Sequence, residues 1–527
     1  MKRMIPFVLS VLSSVSFASA QKSNEATTLL QQYVAIDTSN PPGDTRKTAD
    51  FLTAIFRREG IPVTRYESAA GKSIVYARLK ATVSPPAGKA IVLLHHMDVV
   101  PADRGRWRTD PFTPTIKKTD RGVGTPGVSV RGAGAPGVSV RGLGAPGMSD
   151  DLWARGAFDM KGQGVAHILA FLELKRQGVP LARDVILLAE PDEEVGGAMG
   201  ARWMIANHYA ELDPEYVIDE GGVGSPDLFA PGKLVYGISV AEKKIVWLKV
   251  RAEGIAGHGS QPNDQNPNDR LVKALARLLE DRSPERLALR PNQTPALRPN
   301  QTPALQPNQT PALRPNQIPA LQPNQIPALR PNQTPVARGF QPSGPSVVDV
   351  MRANIGTFAQ NKFTNAIQRS TIALTWFRSG VGEPPKINVI PSVAEAGLDC
   401  RVLPGTTKDQ WMEEVRRRLG DPSLKLELIN ESDDPIVTPH DTPLYRNLEA
   451  AIKSRHRDAL VSPILIPYGT DSNAFRPKGV KSYGIFPAIV SAEAVASMHG
   501  DAERVPLDAV TEAAQVLFEA LRETLKK

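Results

Sequence analysis

From Pro291 to Arg338 a proline recurs at every fourth position, in six eight-residue units of the type PNQTPALR. Each proline removes a backbone donor and biases the preceding residue away from the helical region. Neither a helix nor a central strand can run through this stretch. A second tract, Arg121 to Asp150, holds three ten-residue units, RGVGTPGVSV, RGAGAPGVSV and RGLGAPGMSD. Neither period matches the longer units that stack into solenoids. Both tracts read as extended, solvated insertions into surface loops, so the globular fold must be built from the rest of the chain.

That rest is expected to begin behind an export signal. Lys2 and Arg3 precede a mostly apolar run from Ile5 to Phe17, and Ala18-Ser19-Ala20 fits a small-residue cleavage site. The run is short for a bilayer span and no later stretch is long enough, so a secreted or periplasmic protein is expected. A formal charge of +8 could suggest an acidic partner. However, Arg121, Arg131, Arg141, Arg290, Arg298, Arg314, Arg330 and Arg338 all lie in or beside the repeats, where Asp150 is the only acid. The repeats carry no aromatic residue to stack on a base, and nucleic-acid binding is not expected. Cys400 is the only cysteine, which rules out an internal disulfide. It lies in the alternating run Val393 to Val402 and reads as a buried structural thiol.

Outside the repeats, strand and helix signals alternate. Ala90 to Leu94, Val185 to Ala189, Tyr216 to Ile218 and Ile485 to Phe486 read as strands; Ala49 to Glu59, Gly164 to Gln177 and Leu507 to Leu525 read as helices. The alternation predicts an α/β catalytic domain with a mostly parallel, helix-covered sheet. A middle block differs. Lys244 to Glu253, Thr371 to Phe377 and the long run Ile387 to Val402 read as strands, Leu271 to Leu279 and Asp409 to Leu419 as helices. This predicts a smaller α+β domain inserted near residues 240–432, between catalytic segments 21–239 and 433–527.

The chemistry-bearing residues gather where strands end, which is where open α/β sheets build their sites. Ile91-Val92-Leu93-Leu94 runs into His95-His96-Met97-Asp98. If the strand continues, alternate residues face the same way and Asp98 can accept the ring N–H of His96, while His95 points elsewhere. Asp159, in RGAFDMKG, either caps the following helix or offers two oxygens to two cations. After Val185 to Ala189 comes Glu190-Pro191-Asp192-Glu193-Glu194, closed by Gly196-Gly197. So many acids form a solvated turn or are neutralised by a cation, and the apolar strand feeding them favours the cation. Asp219-Glu220-Gly221-Gly222 repeats the form, and His499 follows late, in Met498-His499-Gly500-Asp501.

The set HMDVVP, GAFDMKG, EPDEEVGG, DEGG and MHGDAERVP, in this order, resembles the co-catalytic zinc metallopeptidases, a family that includes glutamate carboxypeptidase, carboxypeptidase S, aminoacylase and succinyl-diaminopimelate desuccinylase. The resemblance implies two zinc ions, with cobalt or manganese as substitutes. His96 and Glu220 would hold one, Glu194 and His499 the other, and Asp159 would bridge them. It implies Glu193 as general base, Asp98 as partner of His96, and His258 of GHGSQP as the donor to the oxyanion. Asn388 and Arg401 match positions that hold the substrate's carboxylate, and Gly469 and Thr470 lie in a substrate loop that departs from the family's Gly-Gly-Thr-Asp. The inserted domain would be ferredoxin-like, serving as a lid and pairing two copies.

Read as chemistry, two divalent cations roughly 3.5–4 Å apart activate a water between them. The expected reaction is hydrolysis of an amide or peptide bond beside a free carboxylate, on a small peptide. An N-acyl amino acid substrate, as for an aminoacylase, is the alternative. A non-catalytic surface protein that binds through its repeats would be expected to lack a ligand, and none is missing.

Overall fold

The computed structural model describes residues 23–120, 148–230, 232–280 and 361–526. The expected export signal, most of the first repeat tract and the whole proline-rich tract lie outside the described residues. The end of the first tract is described, and it is strand rather than loop. Met148–Trp153 pairs antiparallel with Thr115–Asp120, and Asp120 faces Met148. The tract is thus inserted between two strands of one antiparallel ladder, whose hydrogen bonds recruit its last residues.

The larger domain is built on an eight-stranded sheet. Its strands are β1 (Val63–Ala69), β2 (Lys72–Leu79), β3 (Ala90–His96), β4 (Val185–Glu190), β5 (Pro214–Ser225), β6 (Val235–Glu242), β7 (Leu460–Ile466) and β8 (Lys481–Ile489). In space they run β1-β2-β4-β3-β5-β8-β6-β7. The four central strands, β4, β3, β5 and β8, are mutually parallel; β2 and β6 flank them antiparallel, β1 pairs antiparallel with β2, and β7 pairs parallel with β6. A strand buried on both faces explains the unbroken apolar run of β3. Ile91 and Leu93 enter the core beneath helices Arg46–Arg58, Lys161–Arg176, Pro443–Arg455 and Leu507–Thr524, whereas Val92 and Leu94 enter the core beneath helix Ala201–Leu212. Burial of apolar surface on both faces, at about 25 cal/mol per Å², is what holds this layer together.

The inserted domain runs strand Lys244–Glu253, helix Pro267–Glu280, strands Thr371–Ser379 and Val393–Val402, helix Lys408–Leu419 and strand Lys425–Glu431. In space the strands stand fourth, first, third, second, all antiparallel to their neighbours. This is the ferredoxin-like βαββαβ arrangement. Leu271, Leu275, Trp411 and Val415 of its helices cover Val246, Leu248 and Cys400. Cys400 is buried, and burial pushes its thiol up to about 12, so it is inert.

Three expectations need correction. The run Ile387 to Val402 is not one strand: Val389–Ile390 pairs with Gly257–His258, and only Val393–Val402 joins the sheet. Pro391, which has no N–H to give a ladder, sits at the break. Strand β3 ends at His96, so Asp98 does not lie on a shared strand face with it. Finally, β5 does not stop before its acids but runs on to Ser225. Its register against β8 slips between Asp219 and Gly222, where Asp219 faces Gly484 and Gly222 faces Ile485. The irregularity falls at Glu220 and Gly221, and such bulges re-aim a side chain. It requires glycine opposite, because a Cβ on Gly484 would lie 1.9 Å from the Glu220 carbonyl oxygen.

Candidate metal centre

The ends of β3 and β4, the bulge within β5 and the segment after β8 bring His96, Glu193, Glu194, Glu220 and His499 to one place, together with Asp159 from the turn before helix Lys161–Arg176. Asp159 is central. Its Oδ1 lies 3.1 Å from Nε2 of His96, and its Oδ2 lies 3.1 Å from Nε2 of His499. Glu194 Oε2 is 3.2 Å from the same His499 nitrogen, and Glu220 Oε1 is 3.9 Å from His96 Nε2. Ligand atoms of His96, Asp159 and Glu194 lie within 4.8 Å of one another, as do those of His96, Glu193 and Glu220. Glu193 and Glu194 open the short turn Glu193–Val195 and diverge, one toward the His96 side and the other toward His499.

Asp98 orients His96 differently from the strand-face expectation. His96 Nδ1 donates to the Asp98 backbone oxygen at 2.9 Å, with the carboxylate at 3.5 Å, which leaves Nε2 to face the cluster. Asp98 is itself held by Asn40, whose amide donates at 2.8 Å. His95 turns away to Tyr33 Oη at 3.1 Å, as a structural residue. The acidic stretch does not act as one unit. Glu190 is fully buried below the centre, and Asp192 is ion-paired with Lys72 at 2.9 Å, so only Glu193 and Glu194 reach the cluster. Asp219 likewise faces inward and accepts from the N–H and hydroxyl of Ser472, both at 2.8 Å.

The electrostatics show what this donor set demands. Burial, and then neighbouring negative charge, push Glu193 and Glu220 well above the ordinary carboxylate range. Burial opposes a charge on His96, yet its hydrogen bonds with Asp159 and Asp98 prevail and hold it well above its usual range. His499 is pushed up to about 11, again against burial, by Asp159 and Glu194. Four carboxylates around two imidazoles call for compensating positive charge, either as ring protons or as bound cations in their place. The residues therefore fit a cation pair. His499 is 53% exposed while His96 is 1% exposed, so the open side of the centre is the His499 side.

None of the expected substrate contacts is among the side chains that meet at Asp159. His258 and Asn388 are exposed and adjacent, with Gly259 donating its N–H to the Asn388 carbonyl at 2.7 Å. Ser260 N–H donates to His258 Nδ1 at 3.2 Å, which makes Nε2 the proton-bearing nitrogen of the neutral ring. The Arg401 fork is engaged by Asp399 at 2.8 and 3.2 Å. Thr470 is buried and gives its N–H to Glu242 at 2.5 Å. Gly469 packs on Ile245. Sequence reasoning gave no role to Asn40, Arg155, Glu503 or Tyr468, although Tyr468 Oη donates to the Gly221 carbonyl at 2.6 Å beside Glu220. Arg155 and Glu503 stand inside quoted motifs; Arg155 is a charge amid small and apolar neighbours, whereas Glu503, beside Arg504 and near Asp501, carried no local signal.

Comparison with known proteins identifies the family. The sequence model described as Peptidase family M20/M25/M40 matches residues 145–523. The chain is 25% identical over 454 residues to human N-fatty-acyl-amino acid synthase/hydrolase PM20D1, covering 83% of this chain and 75% of that one. It is 22% identical over 478 residues to Aminoacylase-1 of Dictyostelium discoideum, covering 88% and 90%. Human carnosine dipeptidase 1 shares the fold, with a TM-score of 0.61 at 15% identity over 98% of this chain and 99% of that chain. The M20 family metallo-carboxypeptidase Sso-CP2 of Sulfolobus solfataricus does so at 0.59 and 16%, over 94% and 98%. The family match alone spans well over half of the sequence, and on that ground the chain belongs to peptidase family M20/M25/M40 and is a hydrolytic enzyme.

Proposed function

We propose that this enzyme hydrolyses an amide bond beside a free carboxylate, in a small peptide or an N-acyl amino acid, at a pair of zinc ions. The observation that carries the reading is the division of Asp159, one carboxylate oxygen toward each of two imidazoles. His96 and Glu220 would hold one ion, Glu194 and His499 the other, with Asp159 shared. Imidazole and carboxylate donors without thiolate suit zinc, with cobalt or manganese as substitutes. Bound there, the metal pair supplies Lewis-acid activation of the water and of the scissile carbonyl. Glu193, diverging from Glu194 beside the cluster, takes the proton from water and returns it to the leaving amine. His258, with its proton on Nε2, donates to the developing oxyanion once the inserted domain brings it over the substrate. Asn388 would meet the substrate carboxylate. For Arg401 to do so, its guanidinium must leave Asp399.

The reading is tested with blocked dipeptides and N-acetyl or longer N-acyl amino acids, each also prepared as the C-terminal amide. Removing the free carboxylate should lower kcat/KM about 10- to 100-fold, the worth of a charged hydrogen bond. Equal turnover of acid and amide would refute carboxylate recognition. The two sequence relatives named above, matched over 83% and 88% of this chain, are by name an N-fatty-acyl-amino acid synthase/hydrolase and an aminoacylase, which favours the N-acyl members of the panel.

Two copies are expected to pair through the inserted domain. Its outer strand, Thr371–Ser379, leaves Trp376 and Phe377 each 43% exposed, an unusual amount of aromatic surface to leave in water. Trp376→Asp should convert a dimer to a monomer in light scattering. An unchanged mass would place the contact elsewhere.

A further inference from the structure

Two charged side chains that the proposed chemistry does not use are buried directly behind the centre. Arg155 is 2% exposed and Glu503 is 0% exposed. Arg155 donates from Nη1 to Glu503 Oε2 at 2.7 Å and from Nη2 to the backbone carbonyl of His499 at 3.3 Å. The other carboxylate oxygen of Glu503 accepts the backbone N–H of Phe158 and that of Asp159, each at 3.0 Å. Below them, Ala154 N–H donates to the Glu503 carbonyl at 3.2 Å, and the guanidinium lies 5.3 Å from the Trp107 ring centroid.

A buried ion pair is a weak source of net stability, because desolvating two charges offsets most of their attraction. Its geometric consequence here is specific. One carboxylate and one guanidinium together grip the backbone at Asp159 and the backbone at His499, segments far apart in the chain whose side chains meet at 3.1 Å. His499 also holds a left-handed backbone conformation, φ 60, which a non-glycine residue keeps only where its surroundings fix it. The Arg155 bond to its carbonyl is one such restraint.

We propose that Arg155 and Glu503 are positioning residues that set the spacing of Asp159 and His499, and through it the metal affinity of the half of the centre formed by Asp159, Glu194 and His499. This rests on the metal-centre reading above and extends it to two residues that touch neither metal nor substrate. The pair also explains why the last motif carries a glutamate four positions beyond its histidine. From there its carboxylate reaches back to the turn that bears Asp159.

The test measures zinc affinity by chelator competition, alongside the melting temperature of the metal-free protein. In Glu503→Gln an amide oxygen remains for the two N–H groups, but the charge that holds Arg155 is gone. In Arg155→Lys the charge remains, but a single ammonium cannot span both Glu503 and the His499 carbonyl. Each variant should bind one of the two zinc ions about 10- to 100-fold more weakly, the usual effect of losing a partner behind a ligand. The absorption of the cobalt-substituted protein should change for that ion alone. If Glu503→Gln fails to fold, Arg155→Lys carries the test. A purely structural pair would lower the metal-free melting temperature yet leave both zinc affinities as in the unmodified protein, and that result would overturn the inference. If the unmodified protein itself bound no zinc pair, the functional reading would fall first, and the two failures are distinguishable.

Discussion

Glu193→Ala should retain about two zinc ions per chain while its turnover falls by about 10²- to 10⁴-fold, the range for losing a positioned general base. In barrier height this is about 3 to 5 kcal/mol. The reason is geometric. Glu193 lies within 4.8 Å of His96 and Glu220, yet the donors expected to hold the ions are complete without it. Paired measurements of metal content by elemental analysis and of kcat on the best substrate decide the matter. Loss of zinc with proportionate loss of activity would make Glu193 a ligand. Retention of both would remove it from the chemistry altogether.

Asp159→Ala has the opposite signature. Both imidazoles lose the carboxylate they share, so zinc content should fall from two per chain to one or fewer, and hydrolysis should drop below detection. Stability reports the same event. At free zinc a thousandfold above its dissociation constant, binding adds about 4 kcal/mol to the folded state. The rise in melting temperature that zinc produces in the unmodified protein should therefore shrink or vanish in the variant. Scanning calorimetry with and without a chelator reads this directly. Two tightly bound zinc ions in Asp159→Ala would mean that no carboxylate is shared, and the paired-cation centre would have to be abandoned.

Much of the fold was legible because its signals are local. A strand covered on both faces must be apolar throughout, which is why Ala90 to Leu94 and Val185 to Ala189 stood out. The structure extends them only to His96 and Glu190. Lys244–Glu253 was read with its observed limits, its alternation being that of a sheet covered by helices on one face. Less could be read where a residue's fate depends on a distant partner. The acids at the end of β4 looked alike, but Lys72 takes Asp192, and Glu190 lies in the interior, where burial and then the nearby Asp471 push its carboxyl well above the ordinary range. Arg401 had the right chemistry for a carboxylate, and Asp399, two residues away on its own strand, supplies one. The Glu220 bulge was hidden because it depends on Gly484, a residue of another strand.

By itself the sequence determined the kinds of element, the insertion of one domain into another, and the candidate donors at the strand ends, since periodicity and residue chemistry are properties of short segments. Only the tertiary structure decided strand order, which acids face the centre and which are consumed by Lys72 or Ser472, and how Arg155 and Glu503 tie Asp159 to His499. Those outcomes depend on hydrogen bonds and ion pairs between residues tens to hundreds of positions apart, and no local pattern encodes the distance between them.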